Sequence, residues 1–320
     1  MTKKQIKSRD LYAEITNKLI SAIEAGGELP WNKSWEGAGN ISISRNLSTK
    51  AAYTGINTLI GLVSMVENGF KEPWWGTFKQ VQALGGTVKK GSKGTTMVRY
   101  LPFWKEHEDD EKPLSAKRAM ELQEKGVELV FCGAALKGFV VFNYEQTEGI
   151  EVPKAQMAAG DTDAEALLAS VGVEPVWGYN PCYRSTPCGK VDQIYLPTLE
   201  QFKGDKDELF ATAAHELVHW TGHPSRLARH TSEFNEEAVG ENASSIEEYA
   251  FEELVAELGA SFLCAERGIN ATTQHAAYLQ SWLKALKEDK KFIFQAATAA
   301  QKAVDYIAEI AKEKNLSSAA

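Results

Sequence analysis

No stretch of this 320-residue sequence approaches about 18 consecutive apolar residues, so a membrane-spanning helix is not expected. The amino-terminal residues Met1 to Asp10 are basic and lead into an amphipathic stretch, without an apolar signal core or cleavage site. Cysteine is scarce. Cys132, Cys182, Cys188 and Cys264 are too few for a disulfide framework at this length, and the Cys182/Cys188 spacing fits no zinc motif. Internal repeats are absent. These absences lead us to expect a soluble, cytoplasmic protein with free thiols and no membrane partner. A hydrophobic content of 43% is enough for the cores of two ordinary domains.

The net charge of −8 hides an asymmetry. Residues 1–105 hold fifteen Lys or Arg against seven Asp or Glu, whereas the remainder holds twenty against thirty-six. Five of the eight tryptophans (Trp31, Trp35, Trp74, Trp75 and Trp104) lie in the basic part. Such an imbalance suggests two modules, the first seeking a polyanion.

The apolar spacing predicts a helix over 6–25, closed by Gly26-Gly27, and a second over 56–67. A short helix follows near Thr77–Leu84, then strands at Thr87-Val88 and Thr95–Trp104 flanking a hairpin turn. The charged stretch 105–125 reads as an exposed insertion, and Leu136–Asn143 as a further strand. The expected class is α+β: a small α+β module over 1–150, a linker over 151–160, and a mainly helical module over 161–320. The second module begins with a helix at 164–171; a short strand at Ile194–Pro197 then precedes helices near 206–222, 246–267, 271–287 and 290–313, with a polar loop over 224–245.

The segment His215-Glu216-Leu217-Val218-His219 carries the strongest chemistry. Residues four apart on a helix share a face, so His215 and His219 can offer two imidazoles to one ion. Glu216 lies beside them as the candidate catalytic base, placed to take a proton from water activated by zinc. Chance produces this pattern in on the order of one chain in a hundred of this length. An open catalytic site needs a third protein ligand. Glu253 is the first choice, with Glu257 one turn later as the acid that orients a histidine ligand. His223, His230 and Glu257 remain as alternative ligands, and Glu252 lies about 100° round the helix from Glu253. Tyr195, Tyr249 and Arg226 are candidates for stabilising an oxyanion. One zinc per chain is expected, or another divalent metal in its place.

Single strands are held by stacking bases on aromatic rings while cations track phosphates. In the basic part Trp31, Trp35, Tyr53, Trp74, Trp75 and Phe78 interleave with Lys33, Arg45, Lys79, Lys89, Lys90 and Lys93. The run Lys89-Lys90-Gly91-Ser92-Lys93-Gly94 puts cations on a turn but is no Walker A loop. Tryptophans in a small domain are also ordinary core residues, so composition alone leaves this reading open.

Several motifs are similar to the amino-terminal domain of ArdC-type antirestriction proteins. They are Trp31-x-x-x-Trp35, Arg45-Asn46, Tyr53-Thr54-Gly55-Ile56-Asn57, Trp75-Gly76-Thr77-Phe78-Lys79-Gln80 and Gly86-x-Val88-x-Lys90-Gly91-x-x-Gly94. The segments His215 to His223 and Tyr249 to Leu258 resemble the carboxy-terminal signature of the same family. The resemblance runs through nearly the whole chain. It implies a single-stranded-DNA-binding domain joined to a zincin-like metallopeptidase domain, carried by plasmids, phages or related elements and protecting incoming DNA from restriction. It also adds Asn57 and Gln80 to the candidate DNA-binding residues. The sequence departs from the family in the charged insertion and in Ala51-Ala52, where the family often has Gly and Arg.

The leading expectation is therefore an antirestriction protein that binds single-stranded DNA and carries a metallopeptidase-like zinc site. Its further partner would be a protein substrate or a host restriction enzyme. Two alternatives remain: a non-catalytic DNA-binding or DNA-mimicking protector with a structural metal, and a peptidase acting on DNA-bound proteins.

Overall fold

The computed structural model describes residues 9–26, 42–152, 163–186, 190–230, 243–269 and 278–318. Trp31 and Trp35, like residues 153–160 of the expected linker, lie outside them. The first helix, α1 (Leu11–Gly26), buries Leu11, Ile15, Leu19 and Ile23 along one stripe. Strand β1 (Arg45–Asn46) leads to α2 (Ile56–Asn68), which Gly69 ends in the left-handed conformation. Next come β2 (Trp74–Gly76) and α3 (Phe78–Ala83), whose start is fixed by a reciprocal capping box between Thr77 and Gln80.

Strands β3 (Thr87–Val88), β4 (Thr95–Lys105), β5 (Val130–Asn143) and β6 (Thr147–Glu148) complete the amino-terminal half. The expected β3–β4 hairpin does not form. β3 pairs with β6, and the long β4 pairs antiparallel with β5, giving a sheet of order β1-β2-β5-β4. The turn between Thr87-Val88 and Thr95 is a connection, because β5 offers β4 eleven residues of register and β3 offers it two at most. The charged stretch 105–125 is not wholly exposed. It contains α4 (Ala116–Glu124), which buries Ala119 and Leu122.

The carboxy-terminal half opens with α5 (Ala164–Val171) and a three-stranded sheet of β7 (Val176–Trp177), β8 (Cys182–Ser185) and β9 (Asp192–Leu196). β9 lies in the middle, parallel to β7 and antiparallel to β8. Among the described residues four helices follow: α6 (Lys206–Thr221), α7 (Ala243–Arg267), α8 (Leu279–Glu288) and α9 (Phe292–Ser318). Asp205 caps α6 by accepting from the amides of Asp207 and Glu208 at 3.0 and 3.1 Å. No helix among the described residues is long and apolar enough to cross a membrane.

One hydrophobic cluster runs through both halves, from Leu11 and Ile15 to Phe294 and Ile307. α1 docks on the carboxy-terminal helices: the rings of Tyr12 and Phe294 meet edge to face at 4.7 Å, and Thr16 donates to the Lys290 carbonyl at 2.8 Å.

The pairing of α6 with α7 positions the site. A Cβ on Gly259 would sit 2.6 Å from Cγ2 and 3.1 Å from Cγ1 of Val218. Valine is stiff about χ1 and cannot swing aside, so the close approach of the helices requires glycine at this position. A Gly259→Ala variant is expected to lose about 1–3 kcal/mol of stability through overpacking. Chemical denaturation measures this, and a variant as stable as wild type would show that the crossing tolerates a wider gap.

Candidate metal centre

His215, Glu216 and His219 all lie on the buried face of α6, at 3%, 3% and 0% exposure. α7 faces them with Glu252, Glu253 and Glu257, also buried. Six ionisable groups withdrawn from water in one place would be prohibitively costly without mutual pairing or a cation.

The donor atoms converge. The two Nε2 atoms of His215 and His219 are 3.1 Å apart. Glu253 reaches both, with Oε2 at 3.6 Å from His215 Nε2 and Oε1 at 3.3 Å from His219 Nε2. Four ligands arranged tetrahedrally at roughly 2.0–2.1 Å from zinc stand about 3.3–3.4 Å from one another. The two imidazole nitrogens, and Glu253 with one oxygen toward each, stand close to that spacing, so the group could hold a divalent ion.

The far sides of the imidazoles are also occupied. Nδ1 of His219 is 3.2 Å from Glu252 Oε1, and Nδ1 of His215 is 3.8 Å from Glu257 Oε2. A carboxylate hydrogen-bonded to Nδ1, as Glu252 is to His219, fixes the tautomer that leaves Nε2 free to coordinate. Glu252 is itself held by Arg229, whose Nε and Nη2 donate to its two oxygens at 2.9 and 2.8 Å. Arg229 also donates to Thr221 Oγ1 and the Val218 carbonyl, binding the acid to the end of α6.

Burial disfavours the charge on each group, but the network overrides it for three of them. Against burial, Arg229 and the adjacent histidines keep Glu252 ionised well below the usual carboxylate range. His219 and His215 do the same for Glu253. His219, between two carboxylates, is raised well above an ordinary histidine despite burial. Burial wins for His215, which is shifted down. A divalent ion would take the place of the proton between His219 and Glu253, so metal uptake would release protons.

A second group of donors comprises His219, His230 and Glu252, with His230 Nε2 at 3.1 Å from Glu252 Oε1. It suits a cation poorly because Arg229 already occupies both oxygens of Glu252. Gly222 makes room for His230: a Cβ there would lie 2.4 Å from the ring Nε2. His223 stands outside both groups, its Nδ1 2.7 Å from Ser225 Oγ. Arg226 forms a two-bond ion pair with Asp192, at 2.8 and 2.7 Å, and lies over the Trp220 ring. Tyr195 lies under Arg184, whereas Tyr249 sits one turn before Glu253 on α7. Sequence reasoning missed Arg229, which lies in what it took for a polar loop, offered His230 only as an alternative ligand, and gave Glu252 no supporting role.

The amino-terminal candidates divide into core and surface. Trp74 and Trp75 are 6% and 0% exposed, so the expected stacking platforms are corrected to core residues. A ring enclosed by Leu47 and Val81, as Trp74 is, offers no face to a base. Asn57 is likewise corrected, because its side-chain amide is spent on both backbone groups of Val98 at 2.7 and 2.9 Å. Tyr53 and Gln80 bond to Asn46, at 3.1 and 3.3 Å, tying the loop after β1 to α3. Arg45, Lys79, Lys89, Lys90 and Lys93 are exposed. So is Phe78, at 50%, next to Lys79 at the start of α3.

Comparison with known proteins gives the two halves the same assignment. Residues 9–142 match the family described as the N-terminal domain of anti-restriction factor ArdC, and residues 162–299 that of zincin-like metallopeptidases. The crystal structure of metal-free ArdC from plasmid R388 is 34% identical, with a TM-score of 0.70 over 95% of this chain and 99% of that one. This chain belongs to the ArdC antirestriction family. The Mn(II)-bound form of R388 ArdC superposes with a TM-score of 0.68 at 35% identity, over 95% and 98% of the two chains. Among curated proteins, y4eC of Sinorhizobium fredii is 31% identical over 93% of this chain and 91% of its own length. The DNA primase TraC of Escherichia coli is 34% identical over 93% of this chain. The match spans only 27% of TraC, so the ArdC-like unit is a little over a quarter of that protein.

If Glu252 braces a metal-binding His219, Glu252→Gln lowers divalent-metal affinity by about 10–100-fold. Isothermal titration measures this, with thermal unfolding as the check on folding; unchanged affinity in a folded variant would remove Glu252 from the account.

Proposed function

We propose that the chain is an antirestriction protein whose carboxy-terminal half is a zinc-dependent peptidase centre and whose amino-terminal half holds single-stranded DNA. The observation that carries this reading is the buried convergence of His215, His219 and Glu253, with a carboxylate beside the far nitrogen of each histidine. The Mn(II)-bound state of R388 ArdC supports a divalent ion in this family, and imidazole and carboxylate donors suit zinc.

The proposed ligands are His215, His219 and Glu253. A divalent ion there would supply Lewis acidity toward water and a peptide carbonyl. Glu216 accepts the proton of the attacking water and delivers it to the leaving amine. Glu252 and Glu257 keep the two imidazoles oriented, and Arg229 keeps Glu252 charged. The same enclosure that makes these groups costly to bury strengthens their interactions with a reacting carbonyl.

In the amino-terminal half the DNA-binding surface consists of Phe78, Lys79 and Arg45, with Lys89, Lys90 and Lys93 on the following turn. An exposed ring among exposed cations is the combination that single strands require. The occurrence of this unit within chains named DNA primase supports a role on DNA. We assign its work to the cytoplasm, on incoming plasmid or phage DNA, with a host restriction enzyme as the candidate protein substrate.

A Glu216→Gln variant tests the catalytic part. It should retain its metal and lose peptide hydrolysis by about 10²–10⁴-fold. Transfer of unmodified DNA into a restricting host gives the biological readout. Protection lost together with hydrolysis supports the peptidase; full protection by the inactive variant would mean that occupancy of the DNA suffices, and would overturn it.

A further inference from the structure

A cavity of about 540 Å³ lies where α1, β4, the segment after α6 and α9 meet. That is within the range of about 300–1,000 Å³ typical of small-ligand sites, and ample for one nucleotide. Its charged lining groups are Arg229, Lys291 and Lys302, with no carboxylate among the lining residues. This is a local reversal of sign, because acids outnumber bases in the chain as a whole. Three cations around one space repel one another and favour an anion between them.

Lys302 stands on α9 and Lys291 immediately precedes its first residue. Lys291 and Lys302 are eleven residues apart, close to three full turns, and Gln295 and Thr298 line the cavity between them. Both lysines are exposed. Across the cavity stand the rings of Tyr12 and Tyr100, the second 47% exposed although it lies within a paired strand. Lys291 Nζ lies 5.6 Å from the centroid of the Tyr12 ring. Ring faces for a base, together with cations for its phosphate, fit a nucleotide. An acidic peptide would use the cations and leave the rings without a matching group.

Arg229 connects this cavity to the metal centre. It lines the cavity, and it also holds Glu252, which in turn bonds His219. One hydrogen of Nη1 is not used in its bonds to Glu252, Thr221 and Val218. A phosphate drawn in by the lysines would share the guanidinium with Glu252.

We infer that this cavity is a nucleotide subsite for single-stranded DNA, and that its occupancy is coupled to metal binding through Arg229 and Glu252. The inference rests on the DNA-binding reading above. Binding linkage is reciprocal, so a metal that changes DNA affinity must have its own affinity changed by the same factor.

The test uses the full chain and a fluorescent oligodeoxythymidylate, with anisotropy recorded over a range of salt, with and without Zn²⁺. Lys291→Gln/Lys302→Gln should weaken binding about tenfold and reduce the slope of log K against log salt by about 1.4, the value for two phosphate contacts on a single strand. Tyr100→Ala should weaken it by about tenfold through lost stacking. A control of equal charge change away from the cavity, Lys112→Gln/Lys312→Gln, should bind as wild type does. Zn²⁺ should change the affinity of wild type by about fivefold or more, and that of the double lysine variant not at all. Wild-type affinity and salt slope in the double variant would overturn the cavity site and leave the DNA-binding reading intact. A wild-type chain that binds no oligonucleotide would overturn both. Weakened binding with an undiminished zinc effect would overturn the coupling.

Discussion

The close crossing of α6 and α7 is the constraint on which the rest depends. Val218 packs where Gly259 has no side chain, so the two helices approach near enough for a histidine on one to face a glutamate on the other. The buried carboxylates and imidazoles must then satisfy one another, and they do so in pairs: His219 with Glu252 and Glu253, His215 with Glu253 and Glu257. Arg229 supplies positive charge from outside both helices and so lets three glutamates share one face of α7.

The two halves are not independent bodies joined by a tether. α1 packs against α8 and α9, Gln301 on α9 accepts from the Gly55 amide at 2.9 Å, and Ile43 donates to the Ala265 carbonyl at the end of α7. One core cluster therefore holds the helices of the metal centre and the first helix of the amino-terminal half. Such continuity gives a physical route by which a ligand on one side can bias the other, because packed helices move as units and seldom deform locally.

Much of this architecture was legible in the sequence because helices announce themselves locally. The apolar stripe of α1, the glycine after α2 and the Thr77–Gln80 capping box each fix an element from within a few residues. The strand partners were not legible, since β3 joins β6 across nearly sixty residues and nothing near Thr87 encodes that choice. The aromatic candidates failed for a related reason. Composition counts tryptophans but does not say which way they point, and Trp75 points inward whereas Phe78 does not. At the centre, the i, i+4 spacing of His215 and His219 and the acidic face of α7 could be read directly. Arg229 could not, because its importance lies entirely in where the chain after α6 folds back.

Metal content, determined by elemental analysis after dialysis of protein purified with zinc available, tests the central claim most directly. The account predicts about one divalent ion per chain in wild type, lost in Glu253→Ala and retained in His223→Ala. A metal-free wild type, or a variant pair in which His223→Ala loses the ion and Glu253→Ala keeps it, would contradict the account.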